Sequence, residues 1–503
     1  MSSTATTSIT NASLKRGALT LSAAAMLDFA LQFLLPVALV RLLPPAAFAD
    51  YRLAWLAIGA AMAVAPFALP RSLFYLLPRA EPGLGGAYVH QSVLLLLLSG
   101  LGAGLLLGPW NPLLPHSLRA VSGAAWFMPA FLSLWVAASL AEFLPNARGD
   151  VHGQALVIVA LAVLRVAMVA GAAMWGRADI VFGALLVYAA IKLGVVIWHA
   201  WRHYGAPAAA LLSRRHPGAL GQQLAYVLPF GIASALFLLR GQADQWVAAA
   251  LFPPAAFAAF SIGAVIMPLV ALVRGAVSNA IAPRLSALEA GRDQAGMLRL
   301  NQRANLACAF VLVPALALVA VLALHIVTVL YTATYAAAAD VMRINCLALL
   351  GVAVEVSTLT VVLNQGRFLL GADAVLLPLS VAAAWLGASA WGLPGAALGN
   401  LLTLAAGNAF SFWRVARVTG VPLRRLQRWG LLLRIVGAAL GAAGLCIVLD
   451  HADLVRAPLA EALMIAAVFS ALYLLLLGVA GALPEARALF AHPASPAASP
   501  PAD

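Results

Sequence analysis

Ten ionisable side chains stand inside long apolar stretches of this sequence: Asp28, Arg71, Glu142, Arg165, Lys192, Arg240, Asp244, Arg274, Glu355 and Asp373. A charge in such a setting costs about 2.5–3.5 kcal/mol at the centre of a membrane helix, so each is a candidate for a task that repays the cost. The chemistry open to them is binding and ion handling. Arg165, Lys192, Arg240 and Arg274 are cations able to hold a phosphate, Arg through a flat two-pronged donor set and Lys as a point charge. Asp28, Asp244 and Glu355 are carboxylates able to take a proton or a sodium ion, or to form an ion pair. Arg240 and Asp244 are four residues apart, the spacing of an internal pair on one helix face. Asp28 has no cation within one helical turn, which makes it the first choice for a coupling carboxylate. Arg71 and Glu142 fall near the ends of their apolar runs, where snorkelling to the interface accounts for them.

Bond-making chemistry finds no support. No H-E-x-x-H, G-x-S-x-G, P-loop or C-x-x-C motif occurs, so the chain is not expected to be an enzyme or to carry a cofactor or a metal. His199 and His203 have helical spacing, but beside Trp198 and Trp201 at a helix end they read as part of an interfacial aromatic belt. The three cysteines, Cys308, Cys346 and Cys446, are isolated in apolar runs and say nothing of the redox compartment.

What must position these residues is a bilayer-spanning bundle. Of 503 residues 64% are hydrophobic and 9% charged, against about 25% charged in soluble domains. Runs of about 20 apolar residues, enough to cross a hydrocarbon layer of about 30 Å, recur along the whole chain. Fourteen spans are expected, near 17–40, 53–77, 88–109, 120–144, 154–176, 179–201, 223–250, 255–279, 305–330, 341–363, 368–390, 392–413, 430–449 and 458–481. The first run is too long for the core of a signal peptide and reads as an uncleaved helix. The connections leave no room for an extramembrane domain, and the polar residues 1–13 and the Pro/Ala-rich 491–503 are expected to be disordered.

The net charge of +13 reports topology rather than nucleic-acid binding. With the N-terminus in the cytoplasm, eighteen Lys and Arg fall on the cytoplasmic side and six on the other. That bias predicts cytoplasmic termini and an even number of spans. The basic stretch from Arg414 to Arg434 then reads as an anchor on anionic headgroups.

A repeat organises the spans. Leu43-Pro44-Pro45-Ala46-Ala47-Phe48-Ala49 recurs as Phe252-Pro253-Pro254-Ala255-Ala256-Phe257-Ala258, in both cases just after the first span of a six-span half. The expected fold is an all-α polytopic membrane protein, with two six-helix lobes related by a pseudo-two-fold along the membrane normal and two appended helices. Its boundaries are a cytoplasmic N-terminus at 1–13, an N-lobe at 14–222, a C-lobe at 223–413, a basic cytoplasmic loop at 414–429, a final pair at 430–481 and a tail at 482–503. Two such lobes enclose a central cavity and can rock to open it to either side.

The opening LKRGALTLSAAAMLDFALQFLLPVALVRLLPPAAFADYRLAWL, the stretch AYVLPFGIASALFLLRGQADQWVAAALF and the segment VLYTATYAAAADVMRINCLALL together resemble the polysaccharide and oligosaccharide flippases of the multidrug/oligosaccharidyl-lipid/polysaccharide (MOP) transporter superfamily. Pro44 and Pro253 depart from that pattern, which carries Gly in the turn. The resemblance implies a V-shaped bundle that moves an undecaprenyl-diphosphate-linked sugar repeat unit across the bacterial inner membrane for surface polysaccharide or lipopolysaccharide synthesis. The implied partners are that lipid-linked oligosaccharide, membrane lipids and a coupling H+ or Na+. An ion-coupled exporter of drugs or organic cations and a lipid II flippase are the rivals of the same plan. A glycan polymerase or ligase fits less well, because no long outward loop is present to carry its catalytic residues.

Overall fold

The computed structural model describes residues 11–81, 84–121, 123–206, 218–450 and 458–491. Residues 1–10 and 492–503, which hold most of the two ends expected to be disordered, lie outside them, as do Arg214, Arg215 and Arg456 of the charge count. The described chain is 87% helical, and none of it is strand. Eleven of its helices are long and apolar enough to cross a membrane.

The first unit comprises Met1–Gln242 with Phe252–Ala258. Its helices are α1 (Asn11–Leu42), α2 (Pro45–Val64), α3 (Leu69–Leu76), α4 (Leu84–Leu106), α5 (Ala124–Ala138), α6 (Val151–Ala173), α7 (Ala178–Tyr204) and α8 (Ala219–Arg240). Helix α1 thus begins at Asn11, inside the end expected to be unstructured. It packs on α6, α4 on α5, and α5 on α7. The α4–α5 contact is close because Gly100 and Gly104 lie against the backbone of Leu132 and of Met128–Pro129, where a side chain would collide with main chain. Small residues four apart are the usual means of bringing membrane helices into backbone contact. On its other face α5 stacks Phe127 on Phe182 of α7, ring centroids 4.6 Å apart. Helix α8 is tied to α3 and α4 by Gln223, which is fully buried and donates to Ser72 Oγ at 2.9 Å and Ser92 Oγ at 2.8 Å. Gln91 donates to Gln223 Oε1 at 2.8 Å, so this buried amide is satisfied on both sides.

The second unit comprises Ala243–Leu251 with Ala259–Asp503. Helices α9 (Ala243–Leu251), α10 (Pro254–Gly263, of which the part up to Ala258 belongs to the first unit), α11 (Met267–Ala290), α12 (Gln294–Val321), α13 (Ala338–Ala353), α14 (Ser357–Val362), α15 (Gly366–Thr419), α16 (Trp429–Asp450), α17 (Pro458–Val479) and α18 (Leu483–Ala491) follow in order. Helix α18 lies within the stretch read from sequence as a tail, and its Glu485 pairs with Arg428.

The 54-residue α15 is a hairpin in all but hydrogen bonding. Trp391 and Gly392 leave helical geometry, Gly392 at φ 65°. On either side the chain lies against itself: Gly387 meets the backbone of Gly395, Gly399 meets that of Ala384, and Ser380 Oγ is 3.3 Å from Thr403 Oγ1. The spans expected at 368–390 and 392–413 are its two antiparallel arms. Other expected spans are interrupted. Those at 53–77 and 255–279 break at 65–68 and 264–266 but continue as long apolar segments. That at 223–250 is broken between α8 and α9 at Gly241–Gln242, and that at 341–363 between α13 and α14 at Val354–Val356. Eleven long helices therefore occupy the chain that the fourteen expected spans divide.

The repeated Pro-Pro turn has the same local form in both places. Pro45 and Pro254 are the first residues of α2 and α10, a position where the missing N–H costs nothing and the fixed φ favours the helix. Phe48 and Phe257 are both fully buried.

Candidate functional site

Asp28 of α1 and Arg165 of α6 meet at 3.1 Å, and Gln32, one turn along α1, donates to the other Asp28 oxygen at 2.7 Å. The carboxylate that lacks a local cation thus has one 137 residues away. A few helices on, Lys192 of α7 bonds Glu142 at 2.7 Å, with its ammonium 5.1 Å from the ring centre of Trp135 on α5. Lys192 is buried, whereas the Glu142 side chain is 55% exposed. Glu142 sits on a short 3-10 turn, Ser139–Glu142, where α5 loosens before Pro145.

Glu142 lines a cavity of about 430 Å³ with Arg71, Ser139 and Ser234 among apolar walls that include Phe67, Phe143 and Phe237. One wall is non-helical backbone between α2 and α3, where Phe67 and Ala68 adopt φ of 44° and 58°. The left-handed conformation costs a residue with a Cβ roughly 1–2 kcal/mol. Gly231 of α8 approaches this turn closely enough that a Cβ would press on the Phe67 carbonyl. Irregular backbone at membrane depth is found where protein buries it or it lines a cavity, and this turn lines one.

The second unit holds a more enclosed cluster. Arg274 of α11 donates from Nε to Glu355 Oε1 at 2.8 Å, and from Nη1 to Asn305 Oδ1 of α12 at 2.8 Å and to Cys308 Sγ at 3.4 Å. Ser357 Oγ donates to Glu355 Oε1 at 2.7 Å, and Asn305 Nδ2 donates to the Glu355 carbonyl at 2.9 Å. That carbonyl is available because Glu355 stands in the break between α13 and α14.

Arg240 and Asp244 occupy different helices, since Gly241–Gln242 separates α8 from α9; the i,i+4 geometry assumed from their spacing does not extend through the break. Arg240 ends α8 with its guanidinium 5.5 Å from the centre of the Phe237 ring. Asp244 is 1% exposed in the first turn of α9. Its Oδ1 accepts from the Gln245 N–H at 2.9 Å, and Oδ2 has no hydrogen-bond partner among the described residues.

Three of the four cations singled out in the sequence are therefore placed in ion pairs with carboxylates distant in the chain, Asp28–Arg165, Glu142–Lys192 and Glu355–Arg274, while Arg240 lies beside Phe237. Sequence reasoning set aside Glu142 and Arg71 as snorkelling residues. Their signal was the prolines beside them, Pro66, Pro70 and Pro145, which mark helix breaks where a polar group can be turned inward. Gln32, Asn305 and Ser357 carried no signal at all. Among the described residues no group of three or more His, Cys, Asp or Glu could hold a metal. The rings of His199 and His203 lie 4.5 Å apart, beside exposed Trp198 and Trp201.

No family model matches the sequence, and no curated protein is similar enough to match it. Solved structures do match. The lipid II flippase MurJ in an inward closed conformation aligns with a TM-score of 0.69 at 12% identity, covering 92% of this chain and 98% of its own. An inward-facing multidrug resistance MATE transporter of the MOP superfamily aligns with a TM-score of 0.60 at 14% identity, covering 78% of this chain and 96% of its own. A mutant of the Vibrio cholerae MATE transporter VcmN gives 0.52 at 16% identity, covering 81% and 98%. These neighbours are membrane transporters and a flippase, not enzymes, and the chain shares their fold.

Proposed function

We propose that this chain flips an undecaprenyl-diphosphate-linked oligosaccharide repeat unit across the bacterial inner membrane by alternating access, for assembly of a surface polysaccharide, with both termini in the cytoplasm. The observation that carries the reading is the reach of the structural match. The lipid II flippase accounts for 92% of the chain, whereas the two MATE transporters account for 78% and 81%. The charge chemistry supports it. Arg165, Lys192 and Arg274 each hold a carboxylate from a distant part of the chain, and a diphosphate can take the place of that carboxylate on the two guanidinium groups and the ammonium. A cation exporter would instead line its cavity with carboxylates and aromatics.

Deleting the gene should abolish the surface glycan and leave its lipid-linked repeat unit in the cytoplasmic leaflet; an intact glycan coat in the deletion strain would sink this reading. The second reading, a lipid II flippase, is favoured by the same alignment. It is separated by phenotype: lysis on depletion, with the glycan still made, would select it. Loss of drug resistance with both polymers intact would select the exporter.

The coupling ion falls to Asp244 in preference to Asp28 or Glu355. Asp28 and Glu355 are neutralised by arginines, while Asp244 is buried with one oxygen unpartnered among the described residues. Asp244→Asn, nearly identical in shape, should leave a folded protein whose export no longer responds to a proton or sodium gradient. Export by this variant with an unchanged gradient dependence would remove Asp244 from the coupling step.

A further inference from the structure

Helices α11 and α12 form an antiparallel pair joined at 291–293, and Arg274 on the first faces Asn305 on the second. Four residues toward the joining loop on each helix stand Ser278 and Asn301, so this register brings them opposite one another one turn below the Arg274–Glu355 pair. Asn301 is 1% exposed, and neither its Oδ1 nor its Nδ2 has a hydrogen-bond partner among the described residues. Ser278 Oγ and Arg274 Nη2 are likewise buried without one. Below them an apolar cluster of Leu285, Met297, Leu298, Val356 and Leu359 seals the unit.

A buried polar atom left unbonded is costly, and native interiors rarely leave several together. We infer that the Ser278–Asn301 tier is a binding site for ordered water, which bridges it to the free Nη2 of Arg274. The chemistry selects the occupant. A cation is disfavoured by Arg274, and an anion would satisfy the donors but leave the Asn301 carbonyl unbonded, besides adding a charge to a pair that Glu355 already neutralises. Water both donates and accepts, and about three bonds per buried water match the groups on offer. The consequence is mechanical. With water behind its guanidinium, Arg274 can leave Glu355 without being stranded in hydrocarbon, so the pair can open and reclose at low cost. This inference does not depend on what the protein transports.

Cys308, one turn beyond Asn305 and in contact with Arg274, is a built-in reporter, with the equally buried Cys346 and Cys446 as controls. Hydroxyl radicals made by a short X-ray pulse on the full-length protein in nanodiscs oxidise side chains next to bound water. Cys308 should be oxidised several-fold faster than Cys446. Asn301→Leu should bring it down to the Cys446 rate, because an apolar group of similar size removes both of the amide's bonds to that water. Ser278→Ala should lower the rate in part, and serves alone if the Asn301 variant does not fold. Equal protection of Cys308 and Cys446 in the unaltered protein overturns the inference. So does an unchanged Cys308 rate in both variants, since the labelling water would then belong to Arg274 alone.

Discussion

Replacing Arg274 by alanine should destabilise the protein by about 3–5 kcal/mol, the usual cost of removing one partner from a buried ion pair, and should abolish export. The cost arises on the surviving side. Glu355 is 18% exposed and would be left with Ser357 as its remaining side-chain donor, while Asn305 Oδ1 would lose its bond as well. Loss of activity in this variant alone would not distinguish a binding residue from a structural one. The double variant Arg274→Met/Glu355→Leu does so. Exchanging a buried ion pair for apolar residues of similar volume is commonly neutral or stabilising, so thermal unfolding should return to near the unaltered value. Export should stay absent, because the cation proposed to meet the diphosphate is gone. Recovery of export along with stability would show the pair to be structural and would withdraw Arg274 from the substrate.

The second large effect is expected at Gly399. Its Cα lies against the backbone of Ala384 across the α15 hairpin, so a leucine there has no flexible side chain to push aside. Ordinary overpacking costs about 1–3 kcal/mol because neighbours yield; here the neighbour is main chain on both arms, and the penalty should exceed that range. Gly399→Leu should give no monodisperse protein on extraction. Gly371→Leu, in the same helix but with open space around it, should extract and export normally. Equal behaviour of the two variants would mean that the arms are not packed as described.

Hydropathy made most of this architecture legible, because a membrane helix needs only a run of apolar residues and that property is local. The Pro-Pro turns were legible for the same reason. The ion pairs were not. Asp28 and Arg165 are 137 residues apart, Glu142 and Lys192 50, and Arg274 and Glu355 81, so the partners are set by which helices pack together. The sequence shows that each charge needs a partner, and leaves its identity to the fold. Spacing could also mislead, as with Arg240 and Asp244, where an interval that is one turn of a continuous helix spans a break instead. At Glu355 the carboxylate was visible, but not the interruption of the helix around it, since no proline marks Val354–Val356.

The α15 hairpin also bears on how the chain enters the membrane. Its two ends carry Arg367 and, at the other, Arg414 and Arg417, while the tip around Trp391 and Gly392 has no charged residue and no loop to speak of. No charged residue stands between Asp373 and Arg414, so none near the tip has to be dragged across the hydrocarbon when it goes first, and the arginines at the base resist following it. The two arms can then pass from the translocon as one preformed wedge, with their small-residue seam closed before the rest of the bundle gathers around it.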